Sequence, residues 1–404
     1  MEWNNPNKII ILTTNPFPNG LAGTNRILSY CKGFLYHGYQ PMIVCIRPTE
    51  PHNNIFNSSI EGTYNRIKYS YPGGTTIRVA SFWGRRINDL LARRASIRLL
   101  FEAMKKREVF FVIFYGNCLS VEFSAILLSR LFKIGIYKEE SEHPRVYFKG
   151  NNNNLYSLTK WFFINKMYRS YTGLLVMTNS LREYFLTKGV REQKILVVPH
   201  TVDIERFAKI TCNSKLSFAY EYIAYLGPVN EEKDGVFTLV ESFLEVSTIC
   251  PKIHLVIAGF GTKQEIDMLN LFIKQLDLIE KVHYIGWIAN EDIPLFLDTA
   301  KLLASCRSKS FQNEYNFPTK LIEYLATGKP TVTTAPGELT VYLKDRVNIF
   351  VAKEADRNSF ASKILEVLQD YNFAMKVAQN GKELVRDEFN PIKQTIKIID
   401  FCKD

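Results

Sequence analysis

The stretch from Asn313 to Val332 reads NEYNFPTKLIEYLATGKPTV and sets two carboxylates, Glu314 and Glu323, around a helix start. Phe317–Pro318 opens the helix, and Gly328–Lys329–Pro330 closes it ahead of a β run. Glu323 lies about one and a half turns into the helix, at ~3.6 residues per turn. A carboxylate at that depth can accept two hydrogen bonds from a ribose diol while the free amides of the first turn hold phosphate oxygens. It can equally be a solvated helix residue, or a partner for Lys320 three positions earlier. The local sequence leaves both readings open.

Other chemistry-bearing residues recur at the ends of apolar runs. Tyr222–Leu226 runs into Gly227, then Asn230–Lys233 and Gly235. Ile253–Ala258 runs into Gly259–Phe260–Gly261, Val282–Ile285 into Gly286–Trp287, and Leu302–Ala304 into Ser305–Cys306–Arg307. If these runs are parallel strands, all four ends open on one rim. Glycine there lets a ligand approach the backbone. Lys233 and Arg307 add positive charge, and the helix after Phe317 points its amides the same way. Such a rim suits a diphosphate.

The elements that must position these residues follow a strand–helix alternation. In the first half the strand candidates are Lys8–Thr13, Pro41–Ile46, Val109–Tyr115, Gly135–Lys138, Leu174–Thr178 and Ile195–Val198. The second half adds Thr331–Thr333 and Asn348–Val351 to the four runs above. Apolar runs of this length separated by helices predict parallel βαβ units. The fold class expected is α/β, with two doubly wound Rossmann-like domains facing across a cleft. Residues 1–207 form the first domain and 218–390 the second, with the polar stretch Thr211–Ser217 as linker. Residues 391–404 form a helix that packs back toward the first domain. Asn151–Asn154 reads as a surface loop.

Composition narrows the function classes. The 404 residues, 46% apolar, supply ample core for two domains. No apolar run reaches the ~18 residues of a spanning helix. The start, MEWNNPNKIIIL, has polar residues where a leader needs an apolar stretch. The seven cysteines are scattered, with no close pair of metal or redox type. A cytoplasmic location is the expectation. A net charge of +11 points to an anionic small substrate or a membrane surface. Nucleic acid is not expected, because no nucleic-acid-binding motif occurs. No Asp-x-Asp motif occurs either, so no metal and no cofactor are expected, and fixed positive charge would do a metal's work.

From Gly227 to Val351 the chain resembles the nucleotide-binding half of the GT-B glycosyltransferases, specifically glycosyltransferase family 4 (group 1). The residues that carry the resemblance are the Gly-x-x-x-x-x-Lys turn at Gly227–Lys233, IAGFG at 257–261, IGW at 285–287 and FPTKLIEYLATGKPTV at 317–332. VVPHTVDIERF at 197–207 resembles the family's segment between domains. The resemblance implies a retaining transferase that takes a hexose-type sugar from a nucleotide-diphosphate sugar to a saccharide or lipid-linked saccharide, in surface polysaccharide synthesis. It implies that Glu323 holds the ribose and that Lys233 and Arg307 bind the diphosphate, with Lys320 a further phosphate contact. The turn of Asn316, Phe317, Pro318 and Thr319 would supply backbone donors, and Gly227 and Gly259 would line the donor.

Two departures stand out. Pro228 follows the first glycine where the family commonly has a basic residue. The family's paired acids are separated by seven residues, whereas Glu314 precedes Glu323 by nine positions and Tyr315 takes the acid's place. Asn316 and backbone groups are therefore preferred to Glu314 as sugar contacts. The alternatives are a non-catalytic nucleotide-sugar-binding protein on a transferase scaffold and a nucleotide-sugar epimerase of the same build.

The first half must cap the diphosphate and seat the acceptor. Gly20–Asn25, with Gly23, offers a flexible turn and a helix start. The segment Tyr137–Pro144 follows a strand, and the resemblance puts Glu142 or His143 near the sugar. His143 also fits a structural histidine, and His200 reads as structural. Residues 85–107 hold Arg85, Arg86, Arg93, Arg94, Arg98, Lys105, Lys106 and Arg107 against Asp89 and Glu102. With Leu158–Tyr171 this basic, partly apolar stretch suits an anionic membrane surface, peripherally on its inner face. A core helix with a solvated basic face is the plainer alternative.

Overall fold

A computed structural model describes residues 6–20, 22–53, 55–148, 161–207, 216, 218–335, 337–354 and 356–403. The linker expected at Thr211–Ser217, the Asn151–Asn154 loop and the start of Leu158–Tyr171 lie largely outside them. The chain forms two compact units, residues 1–201 with 391–404, and residues 202–390.

The first unit is built on β1 (Lys8–Thr13), β2 (Gln40–Cys45), β4 (Glu61–Tyr64), β5 (Ile67–Ser70), β7 (Val109–Tyr115), β8 (Gly135–Glu140), β9 (Gly173–Val176) and β10 (Ile195–Val197). Their order in the sheet is β10-β9-β8-β7-β1-β2-β5-β4. β1 is central and parallel to both neighbours, with Ile11 opposite Ile43 and Ile113. Both of its faces are covered, which is why KIIILT is continuously apolar rather than alternating. A separate short pair joins β3 (Glu50–Pro51) to β6 (Ile77–Arg78).

Helices α1 (Ala22–Tyr36), α2 (Phe82–Lys105) and α3 (Leu119–Phe132) flank this sheet. The final helix, Pro391–Lys403, packs on α1, where Gly33 leaves no room for a Cβ against the Pro391 carbonyl. α2 buries only Ala92, Ser96, Leu100 and Met104, a narrow stripe at four-residue spacing. The rest of its surface carries the arginines. No helix among the described residues is long and apolar enough to cross a membrane.

The hairpin β4–β5 is antiparallel and was not anticipated. Its two-residue turn is Asn65–Arg66, both at positive φ. That turn is ordinarily signalled by Asn-Gly, and β4 is exposed at all four positions, so the usual cues are missing.

The second unit holds β11 (Tyr222–Leu226), β12 (His254–Ala258), β13 (Val282–Gly286), β14 (Leu302–Ser305), β15 (Thr331–Thr334) and β16 (Phe350–Ala352). All pairs are parallel, in the order β13-β12-β11-β14-β15-β16. Strand order reverses direction beside β11, between β12 and β14, which is where such sheets open a crevice at their carboxyl ends. Residues 202–207, expected with the first domain, belong to this unit. The reason is local bonding: Val202 N–H donates to Phe389 O (3.0 Å), and Arg206 is tied to Glu323 and Asn290.

Candidate functional site

The carboxyl ends of β11, β12 and β14 meet the helix Thr319–Thr327. β11 runs into Gly227, with φ +154°, and β12 into Gly259, with φ +146°. A Cβ at Gly259 would stand 1.8 Å from Gly227 O, so glycine is required there by the approach of two chain segments. Their amides are already used, since Gly227 N–H donates to Ala258 O and Gly259 N–H to Gly286 O. These glycines thus bring two strand ends close together rather than offering free donors. At Gly235 (φ +62°) a Cβ would sit 1.7 Å from Cys306 O, which packs the loop after β11 against the end of β14.

Two cations lie behind this rim, Arg307 buried and Lys320 nearly so. Arg307 is 2% exposed. Its Nη2 donates to Asn313 Oδ1 and to Asn316 Oδ1 (3.1 Å), and its Nε is buried without a partner. Burial lowers its pKa to about 10, opposed by Asp234 and Tyr225. Lys320 lies in the first turn of the Thr319–Thr327 helix. Its Nζ is 2.5 Å from Asp234 Oδ1, 3.1 Å from Tyr225 Oη and 4.4 Å from the Tyr225 ring centre. Burial pulls its pKa down to about 8 against the pull of Asp234. A Cβ at Gly227 would stand 2.7 Å from this Nζ, so the missing side chain is what opens the strand end to the ammonium.

The helix begins at Thr319 with Pro318 as its N-cap, one residue later than the sequence indicated. Pro318 supplies no side-chain cap. The Thr319 and Lys320 amides, which a helix start leaves without an intrahelical acceptor, get none from the cap side chain. Phe317, expected to act with its turn, sends its ring into the core against Tyr342 and Phe389. Burying such a ring contributes about 1.5–3 kcal/mol and anchors the turn from below.

Glu323 faces Arg206. Arg206 Nη1 donates to Glu323 Oε1 (3.1 Å), and its Nη2 donates to Asn290 O (2.6 Å) and Oδ1 (3.0 Å). Burial raises the Glu323 carboxyl, and Arg206 draws it back. The pairing with Lys320 that spacing allowed is not made. Lys233 sits in the short turn after β11, and its carbonyl accepts from Asn313 Nδ2 (2.8 Å). Glu314 is exposed, on the short helix Phe311–Tyr315.

Sequence reasoning missed Asp234, Tyr225, Asn313 and Arg206. Asn313 is the joint of the site: its oxygen holds Arg307 while its amide donates to Lys233 O and Ser308 O. Only Arg206 carried a signal, as part of the VVPHTVDIERF stretch.

In the first unit, Gly23 stands in the opening turn of α1, where a Cβ would meet Asn15 Oδ1 at 2.7 Å. His143 stacks on Tyr184, ring centres 4.1 Å apart, and its Nδ1 accepts from Arg145 N–H (3.1 Å). Burial, then Arg145 and Lys188, lower its pKa to about 4, so the ring is neutral at pH 7. Glu142 is half-buried beside it. Among the described residues no group of three His, Cys, Asp or Glu is arranged to hold a metal ion.

Comparison with known proteins places this arrangement. Residues 214–384 match the family model described as Glycosyl transferases group 1. The mannosylfructose-phosphate synthase of Agrobacterium fabrum is 27% identical over 214 residues, 50% of this chain and 46% of that protein. The UDP-Gal:alpha-D-GlcNAc-diphosphoundecaprenol alpha-1,3-galactosyltransferase of Escherichia coli is 22% identical over 244 residues, 58% of this chain and 60% of that one. The chain thus spans about half the length of the curated relatives it matches. The crystal structure of HepE from Anabaena in complex with UDP-glucose superposes with a TM-score of 0.68 at 15% identity, over 98% of this chain and 99% of that one. The chain accordingly has the GT-B fold, and its residues 214–384 are similar to the group 1 glycosyl transferases.

Proposed function

We propose that this chain is a retaining, metal-independent glycosyltransferase. It moves a hexose-type sugar from a nucleotide-diphosphate sugar to a saccharide or lipid-linked saccharide, on the cytoplasmic side of a membrane and in surface polysaccharide synthesis. The observation that carries the reading is the pair of buried Arg307 and nearly buried Lys320, held behind an uncapped helix start and opened by Gly227. The relatives support the substrate class: one acts with UDP-Gal on a diphosphoundecaprenol-linked sugar, and HepE binds UDP-glucose.

The residues divide the work. The diphosphate sits against Arg307, Lys320 and the Thr319 and Lys320 amides, with Lys233 at the edge. Glu323 accepts from the ribose diol through the oxygen that Arg206 leaves open. Asn316 and its neighbours face the sugar. As the glycosidic bond lengthens, negative charge grows on the diphosphate, and these fixed donors stabilise it more than the ground state. The leaving phosphate takes the acceptor's proton on the same face, which gives retention without a strong protein base. Neutral His143 serves as a hydrogen-bonding group, together with Glu142.

The first unit supplies the membrane contact. Phe82, Trp83, Ile87, Leu90 and Leu91 of α2 are exposed beside Arg86 and Arg94, and Leu119, Phe123, Leu127 and Leu131 form an exposed stripe on α3. Phe101 and Phe132 pack the two helices together at 5.5 Å. Apolar side chains among arginines suit an anionic bilayer surface. Flotation with anionic liposomes tests this: binding should weaken with salt and with Trp83→Ser/Ile87→Ser, and a protein that ignores such liposomes at low salt defeats it. For the reaction itself, purified protein with a panel of nucleotide sugars should show donor hydrolysis or transfer that survives EDTA. A strict need for manganese or magnesium overturns the metal-free mechanism.

A further inference from the structure

The first unit contains a second cation cluster that the donor chemistry does not use. Arg47 follows β2 by two residues and so stands at the carboxyl end of the sheet. Arg78 lies on β6, with its Nε donating to Pro48 O (3.2 Å). Arg85 and Asn88 come from the first two turns of α2, whose N-cap Ser81 accepts from Gly84 N–H. These side chains line a cavity of about 190 Å³. A single water needs only ~10–15 Å³ on such a measure, so there is room for a larger polar group.

The cavity is short of negative charge. Asp89 is the one carboxylate in its lining, and its contact with Arg93 is long, at 3.9 Å. No ion pair joins Arg47, Arg78 or Arg85 to a carboxylate among the described residues. The Nε atoms of Arg47 and Arg93 are buried with no hydrogen-bond partner. An orphaned buried guanidinium nitrogen is costly, and an oxyanion that takes bidentate arginine bonds relieves that cost. Burial and then Arg78 lower the Arg47 pKa, and Asp89 draws it back up.

We propose that the cavity bounded by Arg47, Arg78, Arg85 and Asn88 is a phosphate-class oxyanion site that holds the phosphorylated end of the acceptor. This rests on the transferase reading and deepens it, since it makes the acceptor a phosphate- or diphosphate-linked saccharide. The lipid part has an adjacent place to lie. Phe82, Trp83 and Ile87, exposed on α2, flank Arg85 within a turn in sequence.

The test is titration of the full chain with inorganic pyrophosphate at low salt. Two binding events are expected, one removed by Arg307→Met and the other by Arg47→Gln/Arg78→Gln. The exposed Arg85→Gln, which leaves the fold untouched, should weaken the second event about tenfold. A titration in which Arg307→Met removes no event, while Arg47→Gln/Arg78→Gln removes one, would strike the donor reading and leave this site standing. Identical titrations of the native chain and the Arg47→Gln/Arg78→Gln/Arg85→Gln variant overturn the site. A second arm separates the acceptor's phosphate from a lipid headgroup. With the acceptor's phosphate in the cavity, Arg85→Gln raises KM for a diphosphate-linked acceptor and leaves donor KM unchanged. If Arg85→Gln instead weakens flotation with phosphatidylglycerol vesicles and leaves acceptor KM unchanged, the acceptor assignment is wrong.

Discussion

Both units bury cations, but they treat them differently. In the first unit Lys138 is fully buried, with Nζ 3.2 Å from Glu122 Oε2 and 3.5 Å from Glu140 Oε1. Tyr171 donates to Glu122, and Tyr168 to Glu140 (2.9 Å). Nearby, Arg26 Nε is 2.7 Å from Glu139 Oε1, and the Arg26 fork also holds the carbonyls of Val198 and Pro199. Each cation there faces at least one carboxylate, and Lys138 faces two, of which burial pushes Glu140 up to about 7. In the second unit Arg307 is held by neutral amide oxygens, and Lys320 has one carboxylate, Asp234. The matched network is closed and serves the fold. The unmatched pair keeps capacity for an anion, at the expense of leaving two desolvated cations only partly satisfied.

That contrast can be broken in four ways. The largest effect falls on the closed network. Lys138→Met leaves Glu122 and Glu140 buried without their cation and should cost roughly 3–5 kcal/mol of stability, read by urea denaturation; a loss below ~1 kcal/mol would show the network to be no more than a surface-type pair. Arg307→Met inverts the pattern. Turnover should fall about 10²–10³-fold, while stability drops by no more than ~2 kcal/mol because only amide oxygens are orphaned. If the variant unfolds as Lys138→Met does, Arg307 is structural.

Glu323→Ala should weaken donor binding by roughly 1.5–3 kcal/mol, and unchanged affinity in a folded variant removes Glu323 from the ribose. The smallest effect is one of pH. Lys320 is charged below its lowered pKa of about 8 and neutral above it. Donor affinity should therefore decline as pH rises through about 8, with proton uptake on binding above that point. A flat profile from pH 7 to about 9.5, the span in which a shifted lysine changes charge, would take Lys320 away from the diphosphate.

Where the chain buries both faces of a strand, the sequence announces it. KIIILT, VFFVIFY and YIAYL were legible to the residue as Lys8–Thr13, Val109–Tyr115 and Tyr222–Leu226. The hairpin Glu61–Ser70 was not, because its exposed strand shows no period and its Asn65–Arg66 turn carries no glycine. In the site, Glu323, Lys320 and Arg307 were legible through the helix start and strand ends that present them. Their partners were not. Asp234 is 86 positions from Lys320, and Arg206 is 117 from Glu323. Such pairs are created by the fold and leave no local pattern. The same holds for the glycines, whose need for chain-to-chain approach at Gly227 and Gly259 cannot be told from ligand approach in sequence.

The central claim is that Arg307 and Lys320 form an open diphosphate site. The most direct measurement is calorimetric titration of UDP-, GDP- and ADP-sugars into the native chain and into Arg307→Met at pH 7. The account predicts that at least one nucleotide sugar binds the native chain, and that the variant binds it about tenfold or more weakly. No binding by any of the three to the native chain, or equal binding by the variant, would contradict it.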